Sequence, residues 1–302
     1  MHHWLSQPGL PIGELISLLT AVCFALSVVF FTRAGRRIGS MTLNPIRLAM
    51  GFVFLMAYGA VMRGTPLPTD ATPSAWGWLT LSGFVGFFLG DMFLFRALLE
   101  VGPRLSSLLM SLAPPFTALV GFLFLDERIG VVGLAGMALT VVGIVLTISE
   151  RKPTSEHTLG SRRGIIFGVL GAVGQAVGLV LSKKGMGSYD AFAATQIRVV
   201  GALVAFLLLF FALRRFGKVR EALRDRRAMS LAAAGAFVGP FLGVGCSLLA
   251  VQYIETGVAA SIMATTPLMV IPFAWFEGDR PGIRGVIGTL LAVLGVTLLF
   301  LR

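Results

Sequence analysis

Charged side chains are scarce in this sequence: they make up 13 % of its 302 residues, against 56 % hydrophobic. A soluble domain carries about 25 % charged residues, and a chain this apolar cannot hide all its surface in one core. The shortage excludes an ordinary soluble protein and points to lipid as the solvent. Histidine is also rare. His2, His3 and His157 all lie outside the apolar runs, which leaves no His-based metal site or triad within them. Cysteine is limited to Cys23 and Cys246, both inside apolar segments. Without partners at metal-site spacing, they read as small buried hydrophobes rather than a disulfide framework. No Gly-rich phosphate loop with its Lys and Ser/Thr is present, so nothing supports ATP-driven pumping. A single intramembrane Asp is too little for aspartic-protease chemistry, which needs two carboxylates. The chain is therefore not expected to be an enzyme, and no catalytic residue, metal site or cofactor is assigned.

What the sequence does have is apolar runs of membrane-spanning length, about 20 residues each. Candidate spans are 14–32, 43–62, 76–98, 104–125, 130–149, 164–182, 193–213, 229–252, 257–276 and 283–301. The expected fold class is an all-α integral membrane protein of ten transmembrane helices. The N-terminal stretch before Leu15 holds no Lys or Arg, so a signal peptide is not expected. The formal net charge of +11 does not indicate nucleic acid, because the basic residues sit in short clusters between apolar runs. Loops after spans one, three, five, seven and nine hold 17 Lys and Arg, and the termini with the other loops hold 5. The positive-inside bias then places the loop 214–227 in the cytoplasm and both termini on the opposite side. That basic loop also suits anionic lipid or an amphipathic surface helix.

The chain repeats itself. Phe84-Val85-Gly86-Phe87-Phe88-Leu89-Gly90 recurs as Phe237-Val238-Gly239-Pro240-Phe241-Leu242-Gly243, with one position in seven changed. Asp126-Glu127-Arg128 aligns with Gly278-Asp279-Arg280, Pro115 with Pro267, and Gly136 and Gly143 with Gly288 and Gly295. In the first two spans of each half Gly13 pairs with Gly164, and Ile46-Arg47 with Ile197-Arg198. The expected units are a first five-helix repeat over 1–149, a basic linker over 150–163 and a second repeat over 164–302. Five spans is an odd number, so the second copy should be inverted, a pattern typical of secondary transporters with a site near the midplane.

These residues resemble the EamA-like permeases, the ten-helix branch of the drug/metabolite transporter superfamily. The resemblance spans the whole chain and rests on Ala97-Leu98, Ser106-Ser107-Leu108-Leu109, Pro115, Leu125-Asp126-Glu127-Arg128, Gly136 and Gly143. In the second half it rests on Ala250-Val251, Ser261, Pro267, Asp279-Arg280, Gly288 and Gly295. Asp279 stands where the family pattern has Glu. The resemblance implies a basket of helices around a central cavity, alternating access, and export of small metabolites, with YddG-type amino-acid exporters as one model. It also implies both termini in the cytoplasm, opposite to the charge count.

Asp91 is the foremost site candidate. About 15 residues into the third span, it lies roughly 20 Å along the helix and still within hydrocarbon. An ionisable group there is costly and marks function by default; it suits a proton-coupled step, or else a structural cap or pair. Its repeat counterpart is Val244, and Arg96 is a partner at poor helical spacing. Arg96 with Glu100 reads as an interfacial ion pair. Gln175, mid-span and facing Phe24 in the repeat alignment, needs an interhelical or ligand partner. Ser111, Thr265 and Thr266 flank the two prolines and serve either as substrate contacts or as hydroxyls that stabilise kinks. Arg47 and Arg198 open spans two and seven. They are gate or interface candidates, or attract a substrate carboxylate, but are expected to snorkel to opposite faces. Glu127-Arg128 and Asp279-Arg280 read as local turns or locks. Glycines four apart, at 86/90, 164/168, 174/178 and 235/239/243, predict close helix packing.

The sequence reading is a monomeric multi-pass protein of the bacterial cytoplasmic (inner) membrane, with partners limited to a small-molecule substrate, the lipid bilayer and protons, and no nucleic acid. Amino acids, aromatic or other neutral ones, are the leading cargo. A broad-specificity drug or cation exporter is the alternative, with a channel behind it.

Overall fold

A computed structural model describes residues 11–149, 162–266, 268–269 and 283–300. Within these the apolar segments are helical and short turns join them, as hydrocarbon demands: with no water to meet N–H and C=O groups, a helix pairs them within the segment. The helices are α1 (Ile12–Ile38), α2 (Ser40–Tyr58), α3 (Pro73–Gly83), α4 (Asp91–Met110), α5 (Ala113–Leu125), α6 (Val131–Ser149) and α7 (Arg162–Met186). The second half holds α8 (Ala191–Ala212), α9 (Phe216–Ala222), α10 (Arg226–Ala236), α11 (Val244–Tyr253), α12 (Thr256–Met263) and α13 (Ile283–Phe300). Seven continuous helical stretches are long and apolar enough to cross a membrane, and Ala113–Leu125 and Val131–Leu146 are shorter apolar helices. The ninth expected span, 257–276, is described only as far as 269. Pro267 and the Asp279-Arg280 turn lie outside the described residues.

Ends are set by local chemistry. Gly39, at φ 80°, lets α1 turn directly into α2. Thr72 caps α3 by accepting from Ala75 N (3.2 Å), with Pro73 in the first turn. Asp190 and Asp225 cap α8 and α10, accepting from Ala193 N and Ala228 N. Asp225 also accepts from Arg37 Nε at 2.8 Å, which ties the end of α1 to the basic loop 214–227. That loop folds partly as the surface helix α9. One expected boundary moves. Instead of a turn between 98 and 104, helical backbone continues from Asp91 through Pro103 to Met110, and the break falls at Ser111-Leu112. A proline removes one backbone bond without ending every helix, whereas Pro114 and Pro115 suit the first turn of α5.

The repeated heptad adopts the same unusual form twice. Phe84–Gly90 and Phe237–Gly243 are both π-helical segments, joining α3 to α4 and α10 to α11. Packing follows the repeat crosswise. α7 packs on α3, α4 and the first π segment, while α1 packs on α10, α11 and the second. Likewise α3 meets α8 as α10 meets α2, and α5 meets α7 as α12 meets α1. The first helix of each half therefore sits against the third span of the other, so neither half is self-contained.

Close approach through glycine makes this possible. A Cβ on Gly174 or Gly178 would lie 2.9 and 2.8 Å from the Cα atoms of Gly90 and Gly86. In the mirrored contact Gly235, Gly239 and Gly243 lie against Phe31, Ser27 and Phe24 of α1. Gly143 and Gly295 seat α6 and α13 on each other. Apolar surface gains nothing by leaving lipid for protein, so dispersion contacts at this range and interhelical bonds hold the bundle. Ser82 adds one such bond, donating to Gly178 O at 2.6 Å beside Ser182.

Gly83 is the tightest point: a Cβ there would stand 1.9 Å from Arg198 O, a backbone atom that cannot step aside. Gly83→Ala is expected to cost about 3 kcal/mol. Gly77→Ala, with nothing within 4 Å, should melt at or above wild type. Thermal unfolding of both variants in detergent checks the contrast.

Candidate functional site

The polar centre forms where α2, α7 and α8 meet the first π segment. Asp91 is the first residue of α4 and only 7 % exposed. An Arg47 Nη2–Asp91 Oδ2 ion pair joins it to α2. Gln175 Nε2 donates to Asp91 Oδ1 at 3.0 Å and to Gly86 O at 3.1 Å. The second bond depends on the π segment, whose wider hydrogen-bond pattern turns backbone groups outward; such segments recur at functional sites. Gly90 permits it, because a Cβ there would come 3.2 Å from Gln175 Nε2.

Both repeat-related arginines are drawn into this centre, contrary to the expectation that they snorkel. Arg47 sits seven positions past Ser40 and Arg198 seven past Ala191, roughly 10 Å into each helix. The helices start earlier than the hydropathy pattern indicates, so neither side chain is at an end. The Arg47 guanidinium lies 5.3 Å from the Phe31 ring centroid and that of Arg198 4.3 Å from Phe87. Arg198 is 4 % exposed and acts electrostatically on Asp91 at longer range. The partner of Asp91 is thus Arg47, 44 positions away in the chain, and not Arg96, whose guanidinium stacks on Phe167 at 5.6 Å.

A cavity of about 60 Å³ lies beside Arg47, lined by Phe24, Ser27, Phe31, Phe87 and Val244 among others. Phe24, on α1 of the first half, and Val244, on α11 of the second, are the repeat counterparts of Gln175 and Asp91, so the positions that mirror the polar pair are apolar. The remaining candidates lie elsewhere. Thr265 Oγ1 donates to Ile262 O and Thr266 Oγ1 to Met263 O, both at 2.7 Å, the bonding expected of hydroxyls at a kink. Thr266 also reaches Ala21 O on α1 at 3.4 Å. Ser111 is buried at the break before α5. Phe87, Phe31 and Ser27 were not singled out in the sequence. Their signal is positional, since Phe87 falls in the repeated heptad.

Two further polar clusters close the edges of the bundle. Glu127 Oε1 accepts from Lys183 Nζ at 2.7 Å, and Oε2 accepts from Thr256 N and Oγ1 at 2.9 and 2.7 Å. This joins the α5–α6 turn to α7 and to the start of α12, a lock between halves rather than a local turn. Near the 63–75 loop, Arg63 Nη2 donates to both Asp70 carboxylate oxygens and Tyr189 Oη donates to Oδ1 at 2.8 Å. The Arg63 hydrogen bonds hold the Asp70 carboxyl below its ordinary range, and burial pushes the Tyr189 phenol up to about 12. A larger groove of about 990 Å³ runs between α5 and α6. Its walls include Leu119, Phe122 and Val142, each more than half exposed, so it faces lipid rather than the polar centre.

Comparison with known proteins agrees with this organisation. The model of the EamA-like transporter family matches twice, over residues 11–149 and 162–301. An uncharacterized transporter of Archaeoglobus fulgidus is 26 % identical over 207 residues, covering 68 % of each chain. One from Clostridium kluyveri is 22 % identical over 293 residues, covering 94 % of this chain and 91 % of its own. YdfC of Bacillus subtilis, also described as an uncharacterized transporter, is 23 % identical over 264 residues, 85 % and 80 % of the two chains. A crystal structure of a protein at 16 % identity shares the fold, with a TM-score of 0.73 over 95 % of both chains.

The Arg47–Asp91 pair is shielded, with side chains 18 % and 10 % exposed. Removing one partner leaves a charge in a poor solvent, so Arg47→Ala is expected to cost about 3 kcal/mol. The Arg47→Leu/Asp91→Leu double variant should recover most of that loss. Melting of the single and double variants in detergent checks it.

Proposed function

Because the chain belongs to the EamA-like transporter family, we propose that it is a secondary exporter of small metabolites, with amino acids the leading class, acting as a monomer in the bacterial cytoplasmic membrane. The observation that carries this reading is the Asp91 centre. A carboxylate held by Arg47 from one helix and Gln175 from the other half lies beside a cavity between the repeats. Two halves of five spans each require opposite orientation if both cross the membrane fully. Alternating access then follows: the crosswise glycine contacts let one half rock on the other, opening the centre to each face in turn.

Asp91 is the coupling residue in this scheme. Its negative charge is matched by Arg47 while the centre is closed. Taking up a proton releases Arg47 from it, and losing that proton restores the pair. Transport linked to a proton gradient follows, with the Glu127 lock forming on one face when that face shuts.

The test is uptake of a labelled amino-acid panel into proteoliposomes, with and without an imposed pH gradient. Wild type should show saturable uptake that responds to the gradient. Asp91→Asn should keep wild-type melting within a few degrees and lose the gradient response. Normal pH-dependent transport by Asp91→Asn would remove Asp91 from coupling. Refusal of every amino acid by folded protein, with efflux of dyes or organic cations, would replace the amino-acid reading with that of a drug exporter.

A further inference from the structure

We infer that Arg198 is the anchor for a carboxylate carried by the transported solute, so that the second half of the site is completed by cargo rather than by protein. The inference rests on the transporter reading and narrows its substrate class.

The argument starts from a broken symmetry. Arg47 and Arg198 occupy equivalent places in the two repeats, and each lies against a phenylalanine ring. Arg47 has its carboxylate in Asp91. The position that mirrors Asp91 is Val244, and the one that mirrors Gln175 is Phe24. The cation is kept in the second repeat, but the two positions that would have met it, Val244 in that repeat and Phe24 in the first, are apolar. Among the described residues Arg198 makes no ion pair, unlike Arg47, while the Nε of both arginines is buried without a hydrogen-bond partner. Asp91, already paired with Arg47, reaches it only at longer range. The centre therefore holds two guanidinium groups and one carboxylate, a net positive charge in the membrane interior.

An uncompensated buried cation is expensive, and the phenylalanine face recovers only part of the cost. The neighbouring cavity of about 60 Å³ has room for a few waters, and Arg47 and Phe87 line it while Arg198 does not. What the centre lacks is one anion. Phe87 shows where it would come from, because the same ring lines the cavity and carries the Arg198 guanidinium. Once the halves part, a solute in the enlarged cavity meets Arg198 by displacing that ring. The planar guanidinium then offers two parallel N–H groups that fit a carboxylate. Phe24, Phe31 and Phe87 leave an apolar surround for the rest of the solute.

The test compares matched probes in proteoliposomes: L-phenylalanine with L-phenylalaninamide, L-leucine with L-leucinamide, and phenylacetate with phenylacetamide. The acids should be carried at least about tenfold faster than the amides, since the amide leaves the guanidinium unmatched. Arg198→Gln should erase that preference and Arg198→Lys should keep part of it. Val244→Asp supplies a fixed carboxylate at the mirrored position. It should melt at or above wild type without ligand and lose acid uptake at least about tenfold. Equal uptake of acids and amides, wild-type acid uptake by Arg198→Gln or Val244→Asp, or lower melting of Val244→Asp would each overturn the anchor. Carriage of amides or dye cations with acids refused would overturn it and leave the transporter standing. No uptake of any solute would remove both.

Discussion

A carboxylate in hydrocarbon has no water to turn to, so the protein must bring every group that meets it. Around Asp91 this requirement gathers a guanidinium from α2 and an amide from α7, which is itself oriented by donating to the carbonyl of Gly86. These groups come from different helices and from both repeats, so the carboxylate is satisfied only when the two halves are seated on each other. In the proposed transport cycle this links its charge state to the relative position of the halves. Among the described residues, Ser82 with Gly178 and Ser182, and Thr266 with Ala21, also bond across the halves, while the Glu127 lock and the Arg63–Asp70–Tyr189 cluster stand at the edges.

The scaffold that delivers these groups is symmetric, and the site is not. Glycines on the π segments and on α7 allow backbones to meet at van der Waals range, and the mirrored contacts on α1 use Phe31, Ser27 and Phe24 instead. Both sets of contacts follow from the crosswise placement of the first helix of each half. In the transport scheme proposed above, the second arrangement is the one in which the halves exchange roles. The asymmetry of Asp91 and Gln175 against Val244 and Phe24 gives that exchange a chemical direction.

Much of this was legible in the sequence, and the limits were physical. Hydropathy gave the helices, and the shared heptads and glycines gave the repeat. Asp91 and Gln175 declared themselves because a polar side chain deep in an apolar run is costly. Their partners did not. Arg47 lies 44 positions from Asp91, and nothing local tells a cation that pairs across helices from one that reaches for the interface. The error over Arg198 had the same root, made worse by helices that begin before hydropathy rises. The π segments were hidden because their backbone form comes from packing, although the repeated heptad marked where they occur. Phe87 and Phe31 could not be chosen among 24 phenylalanines without the fold.

The central claim is that this centre faces each side of the membrane in turn. Ser27 lines the cavity beside Arg47, and cysteine differs from it by one atom, so Ser27→Cys in a chain with Cys23 and Cys246 replaced by alanine reports on access. With the protein in oriented vesicles, a membrane-impermeant thiol reagent is added from one side or the other, and labelling is followed as a pH gradient is imposed and reversed. Labelling from both sides, with the favoured side switching as the gradient reverses, is the predicted result. Labelling from one side only, whatever the gradient, would contradict alternating access at this centre.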